Sequence, residues 1–140
     1  MTNGGAASRT LTTGGDNTST TFSGVIQNGA AGATNLTKAG TGTFTLSGAN
    51  TYTGTTTINA GTLALSGSIA SSSQVNVANA AGTFDISGTS SGATITTLNG
   101  VANSHVTVGG QRLTISNGST TYAGIIQGTG GLTLTGGTRP

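Results

Sequence analysis

Three side chains in this chain of 140 residues could take part in acid–base chemistry: Asp16, Asp85 and His105. A site that cleaves a polysaccharide needs carboxylates, a base or a metal gathered on one face. Asp16 stands in Gly14-Gly15-Asp16-Asn17, where a turn role is the plainer reading. Asp85 lies between Phe84 and Ile86, so strand alternation turns it outward to a solvated face. His105 opens the run His-Val-Thr-Val and shares its parity with Thr107, which also favours the surface. Asp and His together can hold a metal, but these three come from regions many residues apart. Ser and Thr abound, yet without a neighbouring base none is an activated nucleophile. The expectation is therefore a non-enzymatic protein with no catalytic, metal-binding or cofactor-binding residue, and no cofactor.

Binding chemistry leaves fainter traces. Gly128-Thr129-Gly130-Gly131 resembles a phosphate loop in composition only, since no strand–loop–helix context and no following Lys-Ser/Thr accompany it. Tyr52 and Tyr122 have rings that could stack on sugars, although packing at a corner is the more ordinary use. The pairs Thr43/Thr45, Thr51/Thr53, Thr94/Thr96 and Thr133/Thr135 would suit an ice- or carbohydrate-binding face if they stacked in several successive layers. Any strand with Thr outside and an apolar residue inside yields the same pattern. The formal net charge is +2, from Arg9, Lys38, Arg112 and Arg139 against the two Asp. Four isolated cations without an aromatic cluster give nucleic acid nothing to bind.

The elements that must position these residues are short. Only 32% of the chain is hydrophobic and 4% charged, with 26 Gly and one Pro. No window keeps the apolar spacing of a helix before Gly interrupts it. Disorder would go with high charge and few β-branched or aromatic residues, whereas here Val, Ile, Leu, Phe and Tyr recur in alternation. The chain is expected to be all-β. It has no Cys, so no disulfide supports it, and no apolar run of membrane-spanning length. Its first ten residues lack the apolar core of a signal peptide, which fits a cytosolic protein or a piece of a longer exported one.

Alternation places strands at 20–27, 35–38, 43–47, 51–53, 56–59, 62–66, 74–78, 83–87, 93–98, 105–108, 112–116, 120–127 and 132–135. Between them stand Gly and Asn turns; Asn50 and Asn59 are placed at such turns, where Asn tolerates a left-handed backbone or stacks into ladders. Runs this short suit a parallel β-helix of about five to six coils better than a sandwich or an up-and-down barrel. The stretch TTFSGVIQ (20–27) recurs as TTYAGIIQ (120–127), 100 residues on, which points to internal repetition and to ends of similar shape.

The segments FSGVI (22–26), LTKAGTGTFTLSGANTYTG (36–54) and TINAGTL (57–63) resemble the passenger-associated β-strand repeat of autotransporters. The likeness covers residues 22–66 and, cut short, 120–136; residues 67–118 are divergent coils of the same single segment, 1–140. The resemblance implies a right-handed parallel β-helix, exported across both membranes of a Gram-negative cell and displayed at its surface. It implies the translocator barrel of the parent protein as a partner, and no catalytic residue. A rigid stalk with an adhesive role is the expected function, with a host-surface or glycan receptor as candidate partner. A Thr face that binds ice or carbohydrate is the alternative. Uncapped solenoid edges also template pairing, so head-to-tail self-association into filaments is a further expectation.

Overall fold

The computed structural model describes residues 7–30 and 32–136, which hold fourteen β-strands and no helix. Arg139 lies outside the described residues. The strands form three parallel sheets, each a face of a β-solenoid of about six turns. The first face stacks β1 (Arg9–Thr13), β3 (Thr34–Lys38), β5 (Thr55–Ile58), β7 (Gln74–Val77) and β10 (Leu98–Gly100). The second stacks β2 (Thr20–Phe22), β4 (Thr43–Leu46), β6 (Thr62–Leu65), β8 (Thr83–Asp85), β11 (His105–Gly109) and β13 (Ile125–Gly128). The third contains β9 (Ala93–Ile95), β12 (Leu113–Ile115) and β14 (Leu132–Leu134). We number the turns coil 1 to coil 6, so that β2, β4, β6, β8, β11 and β13 belong to successive coils.

Register follows from burial. Thr43, Thr62, Thr83, His105 and Ile125 form one column, with successive members 19, 21, 22 and 20 residues apart. The adjacent inward column is Phe44, Leu63, Phe84, Val106 and Ile126. A slip of one residue would turn Phe44, Leu63, Phe84 and Val106 to water, while Ile126 in the last coil is already exposed. Leu63, Phe84 and Val106 are fully buried, so the core is a continuous apolar ladder along the axis. Each strand inside a sheet bonds the coils before and after it through its main chain, which satisfies a backbone that has few other partners.

The third face changes along the rod. Coils 4 to 6 place β9, β12 and β14 there, but among the described residues coils 1 to 3 have no strand on it. Instead the chain turns through Ile26, Asn50 and Ser68, and main-chain bonds run from Thr51 N to Ile26 O (2.9 Å), Asn50 N to Ser68 O (2.9 Å) and Ser68 N to Gly48 O (3.1 Å). The strand expected at 51–53 is therefore a turn, because Tyr52 and Asn50 fill this corner with side chains. The run at 93–98 bends at the next corner and supplies two strands, β9 and β10, to different faces. Arg9–Thr13 is a strand that alternation does not reveal, since it has a single apolar residue, Leu11.

The two eight-residue copies also sit differently. Phe22 pairs with Leu46 on the second face, whereas Tyr122 bridges Gly100 on the first. The chain arrives at residue 120 from the third face, so 120–122 must cover the first face before β13 takes the second. The two ends consequently differ in shape, which corrects the expectation that they are alike.

Candidate functional site

Asp16 is exposed in its turn, where its carboxylate accepts from the hydroxyl (2.9 Å) and the N–H (3.2 Å) of Thr18. These bonds, the hydroxyl's first, hold its pKa below the usual value. Asp85 and His105 come together more than their separation in sequence suggests. β8 and β11 are neighbours, with His105 beside Thr83 and Thr107 beside Asp85, so the two are diagonal neighbours on the outer second face. Asp85 Oδ1 accepts from Ser87 N (2.8 Å), and Gln127 Nε2 donates to Thr107 Oγ1 (3.2 Å). Asp16 lies in the turn before β2, away from both, and no group of three His, Cys, Asp or Glu that could hold a metal occurs among the described residues.

The tyrosines face inward. Tyr52 is buried, with its hydroxyl 2.8 Å from Thr56 Oγ1, which is itself 2.8 Å from Ser72 Oγ. Ser72 passes the chain on to Gly54 O at 2.8 Å. Tyr122 is half-buried, and Ser104 Oγ donates to its hydroxyl at 3.2 Å. The buried Tyr52 ring therefore has no free face for a sugar. Burial pushes the Tyr52 hydroxyl up to about 12 from 10.0, against the two hydroxyl contacts. A raised acid contributes stability that is present below its unfolded pKa and lost as pH climbs through the folded one. Stability is expected to fall by roughly 2–3 kcal/mol between pH 10 and 12 through this group. Urea titrations of Tyr52→Phe over that range check it, because the variant should lack this part of the alkaline loss.

Threonine ladders exist and are short. Thr12, Thr37 and Thr57 stack on the first face before Asn76 and Asn99 continue the column. Thr43, Thr62 and Thr83 stack on the second until His105, and the next column there reads Thr21, Thr45, Ala64, Asp85, Thr107, Gln127. On the third face the column is Thr94, Thr114, Thr133. The paired columns that the Thr-x-Thr spacing suggests are thus interrupted after three coils at most.

Two buried polar residues were not singled out for their chemistry by sequence reading. Lys38 is buried, and its ammonium donates to Ala39 O and to Gly40 O (2.9 Å). Burial lowers its pKa. The available signal was parity, since Lys38 shares the inward phase of Leu36. Asn50, expected at a turn with a left-handed backbone or in an Asn ladder, has no positive φ. It is buried and joins three coils: Oδ1 accepts from Ile26 N (2.8 Å), while Nδ2 donates to Gly48 O (3.0 Å) and Ser68 O (3.2 Å). Asn17, Asn28 and Asn35 likewise accept main-chain N–H groups from the adjoining coil, at Thr41, Thr53 and Thr55. These Asn side chains bond main chain instead of one another.

A cleft of about 330 Å³ opens on the third face where coil 3 meets coil 4, lined by Ser66, Gly67, Ser68 and Ala70 side by side with Thr89–Thr94, and by Arg112 and Thr114.

With this geometry in hand, two likenesses to known proteins bear on the chain. Residues 36–65 match the family described as passenger-associated-transport-repeat. An adhesin BmaC autotransporter from Brucella suis biovar 1 (strain 1330) is 38% identical over 125 residues, covering 85% of this chain and 4% of the relative. The chain thus spans a small part of the length of the curated relative it matches. No solved structure matches.

Proposed function

The chain carries an autotransporter passenger repeat, and from that premise we propose that it is a rigid, non-catalytic segment of an exported passenger, held at the bacterial surface and used in adhesion. The observation that carries this reading is the unbroken apolar column from Phe44 to Val106, which makes each coil the template for the next. Such a stack resists bending because every coil is tied to its neighbours by main-chain bonds on at least two faces. The adhesin relative supports the adhesive half of the reading. In this reading the parent protein's translocator barrel carries the chain across the outer membrane. Asp85 and His105 then serve as polar surface groups rather than as an acid–base pair.

Beads coated with the purified chain are expected to bind host epithelial cells saturably, well above albumin-coated beads. Equal binding by both, with a β-type circular dichroism spectrum retained, defeats the adhesive role. Incubation with a panel of polysaccharides is expected to release no shorter products.

A further inference from the structure

The third face steps from no strand in coil 3 to a strand in coil 4, and the step leaves a notch in the rod. β9 is the last strand of its sheet, paired only with β12. In a parallel ladder, alternate residues direct both main-chain groups to the same side. Ala93 N bonds Arg112 O (3.0 Å), and Ser116 N bonds Ile95 O (2.9 Å), so Ala93 and Ile95 face β12. Thr94 therefore turns its N–H and C=O the other way, toward coil 3, where no strand meets them.

The other joints are tied on this side. Thr51 N to Ile26 O joins coils 1 and 2, Ser68 N to Gly48 O joins coils 2 and 3, and β12 pairs with both β9 and β14. Among the described residues, no hydrogen bond runs from residues 66–72 of coil 3 to residues 86–96 of coil 4. No charge braces the gap either. Arg112 Nη1 donates to Thr133 Oγ1 (2.7 Å) and its guanidinium lies over Gly131, both in coil 6, so it points away. The first and second faces do continue across the joint, with β5 beside β7 and β6 beside β8. Leu65, Ile69 and Ile86 are buried, so the core passes the joint intact.

We infer that this joint is a hinge: coils 1–3 and coils 4–6 are stiff blocks that tilt about the corner between the first and second faces, closing and opening the notch. A hydrogen-bonded ladder holds its strands about 4.8 Å apart, so ties on three sides of a coil resist tilt in every direction. Ties on two sides do not. Tilt about the line that joins them leaves both ladders near their spacing and changes only the untied side. Closure breaks no hydrogen bond and has the cleft's volume of about 330 Å³ to move into. Opening is limited by Ile69 and Ile86, which would meet water. The segment is thus stiff on either side of this joint and compliant at it, a property that does not depend on adhesion.

The test measures residual dipolar couplings of the 15N-labelled chain in a dilute aligning medium, which average over hinge motions. The strands of coils 1–3 and those of coils 4–6 should need two alignment tensors that differ in magnitude by roughly a tenth or more. Dividing the chain between coils 2 and 3, or between coils 4 and 5, should improve the fit less. Hydrogen exchange gives the second reading. Thr94 N–H should exchange at least about a hundredfold faster than Thr114 N–H, which points into β9. The hinge is overturned if one tensor fits all six coils as well as two, if the best division falls at another joint, or if Thr94 is protected like Thr114. Coated beads that adhere to cells, from a chain with a single tensor, defeat the hinge alone. Two tensors in a chain whose beads do not adhere defeat the adhesive reading alone.

Discussion

Replacing Gly61 by Ala is expected to cost on the order of 3–5 kcal/mol, among the largest effects of a single methyl group in this chain. Gly61 has φ +63, a left-handed conformation that costs an ordinary residue about 1–2 kcal/mol. The larger part is steric. A Cβ there would stand 2.4 Å from Gly42 O and 2.5 Å from Gly40 O, both main-chain atoms of the preceding coil. Those atoms are tied in place, since Thr62 N bonds Gly42 O (3.2 Å) and the Lys38 ammonium donates to Gly40 O (2.9 Å). Relief requires coils 2 and 3 to separate at this corner, in the middle of the rod, where fraying at an end cannot help. Gly14 (φ +90) and Gly40 (φ +67) precede it at the same corner of coils 1 and 2, so the column is a built feature of the stack. Gly15→Ala is the control. A Cβ at Gly15 meets nothing within 4 Å and its φ is not positive, so its stability should stay within about 0.5 kcal/mol of wild type. Thermal unfolding should show a fall of roughly 10–20 °C for Gly61→Ala. A fall no larger than that of Gly15→Ala would refute the close-packed corner.

Much of this architecture is written in the sequence because period-two alternation reports directly on which face a strand buries. Thr43 to Leu46 and Thr62 to Leu65 both read polar–apolar–polar or small–apolar, and both become strands of the second face with Phe44 over Leu63. What alternation cannot show is how many faces a coil has. Nothing in residues 51–53 distinguishes a strand from a turn held by Asn50, because the deciding bonds come from Ile26 and Ser68, 24 residues before Asn50 and 18 after it. The same limit hid Lys38. Charged residues are seldom fully buried, so its identity argued for solvent while its parity with Leu36 argued for the core. Parity won because the turn that follows supplies two carbonyls within reach of the ammonium. The diagonal placement of Asp85 and His105 was illegible for another reason. It depends on the 22-residue length of one coil, which is set by loop residues rather than by either strand. The notch on the third face required both facts at once, the missing strand in coil 3 and the orientation of β9.

Asn50→Asp is expected to convert the central tie of coils 1 to 3 into a pH-dependent one. The substitution keeps shape and size, and one carboxylate oxygen can still accept from Ile26 N. The other replaces an amide that donates to Gly48 O and Ser68 O, so that it faces two carbonyls inside the protein. Burial and two carbonyls outweigh one N–H, and the introduced carboxyl should have a folded pKa above its unfolded value near 3.9. The sign follows from linkage: for a raised acid, stability is present below the unfolded pKa and lost as pH rises through the folded one. At pH 7 the variant should be less stable than wild type by about 2–4 kcal/mol, as expected for unsatisfied buried polar groups. Near pH 4 it should recover much of that loss, because the protonated acid can again donate to one carbonyl. Asn50→Ala separates this from simple loss of contacts. It leaves Ile26 N–H and both carbonyls without the side chain at every pH, so its deficit relative to wild type should be flat with pH. Denaturant unfolding of the three proteins between pH 4 and 8 gives the comparison. A pH-independent deficit for Asn50→Asp, parallel to that of Asn50→Ala, would mean that the donor pair to Gly48 and Ser68 does not hold coil 2 to coil 3. In that case the apolar column alone must fix the register, and the Asn that stands in the repeat would be a turn residue after all.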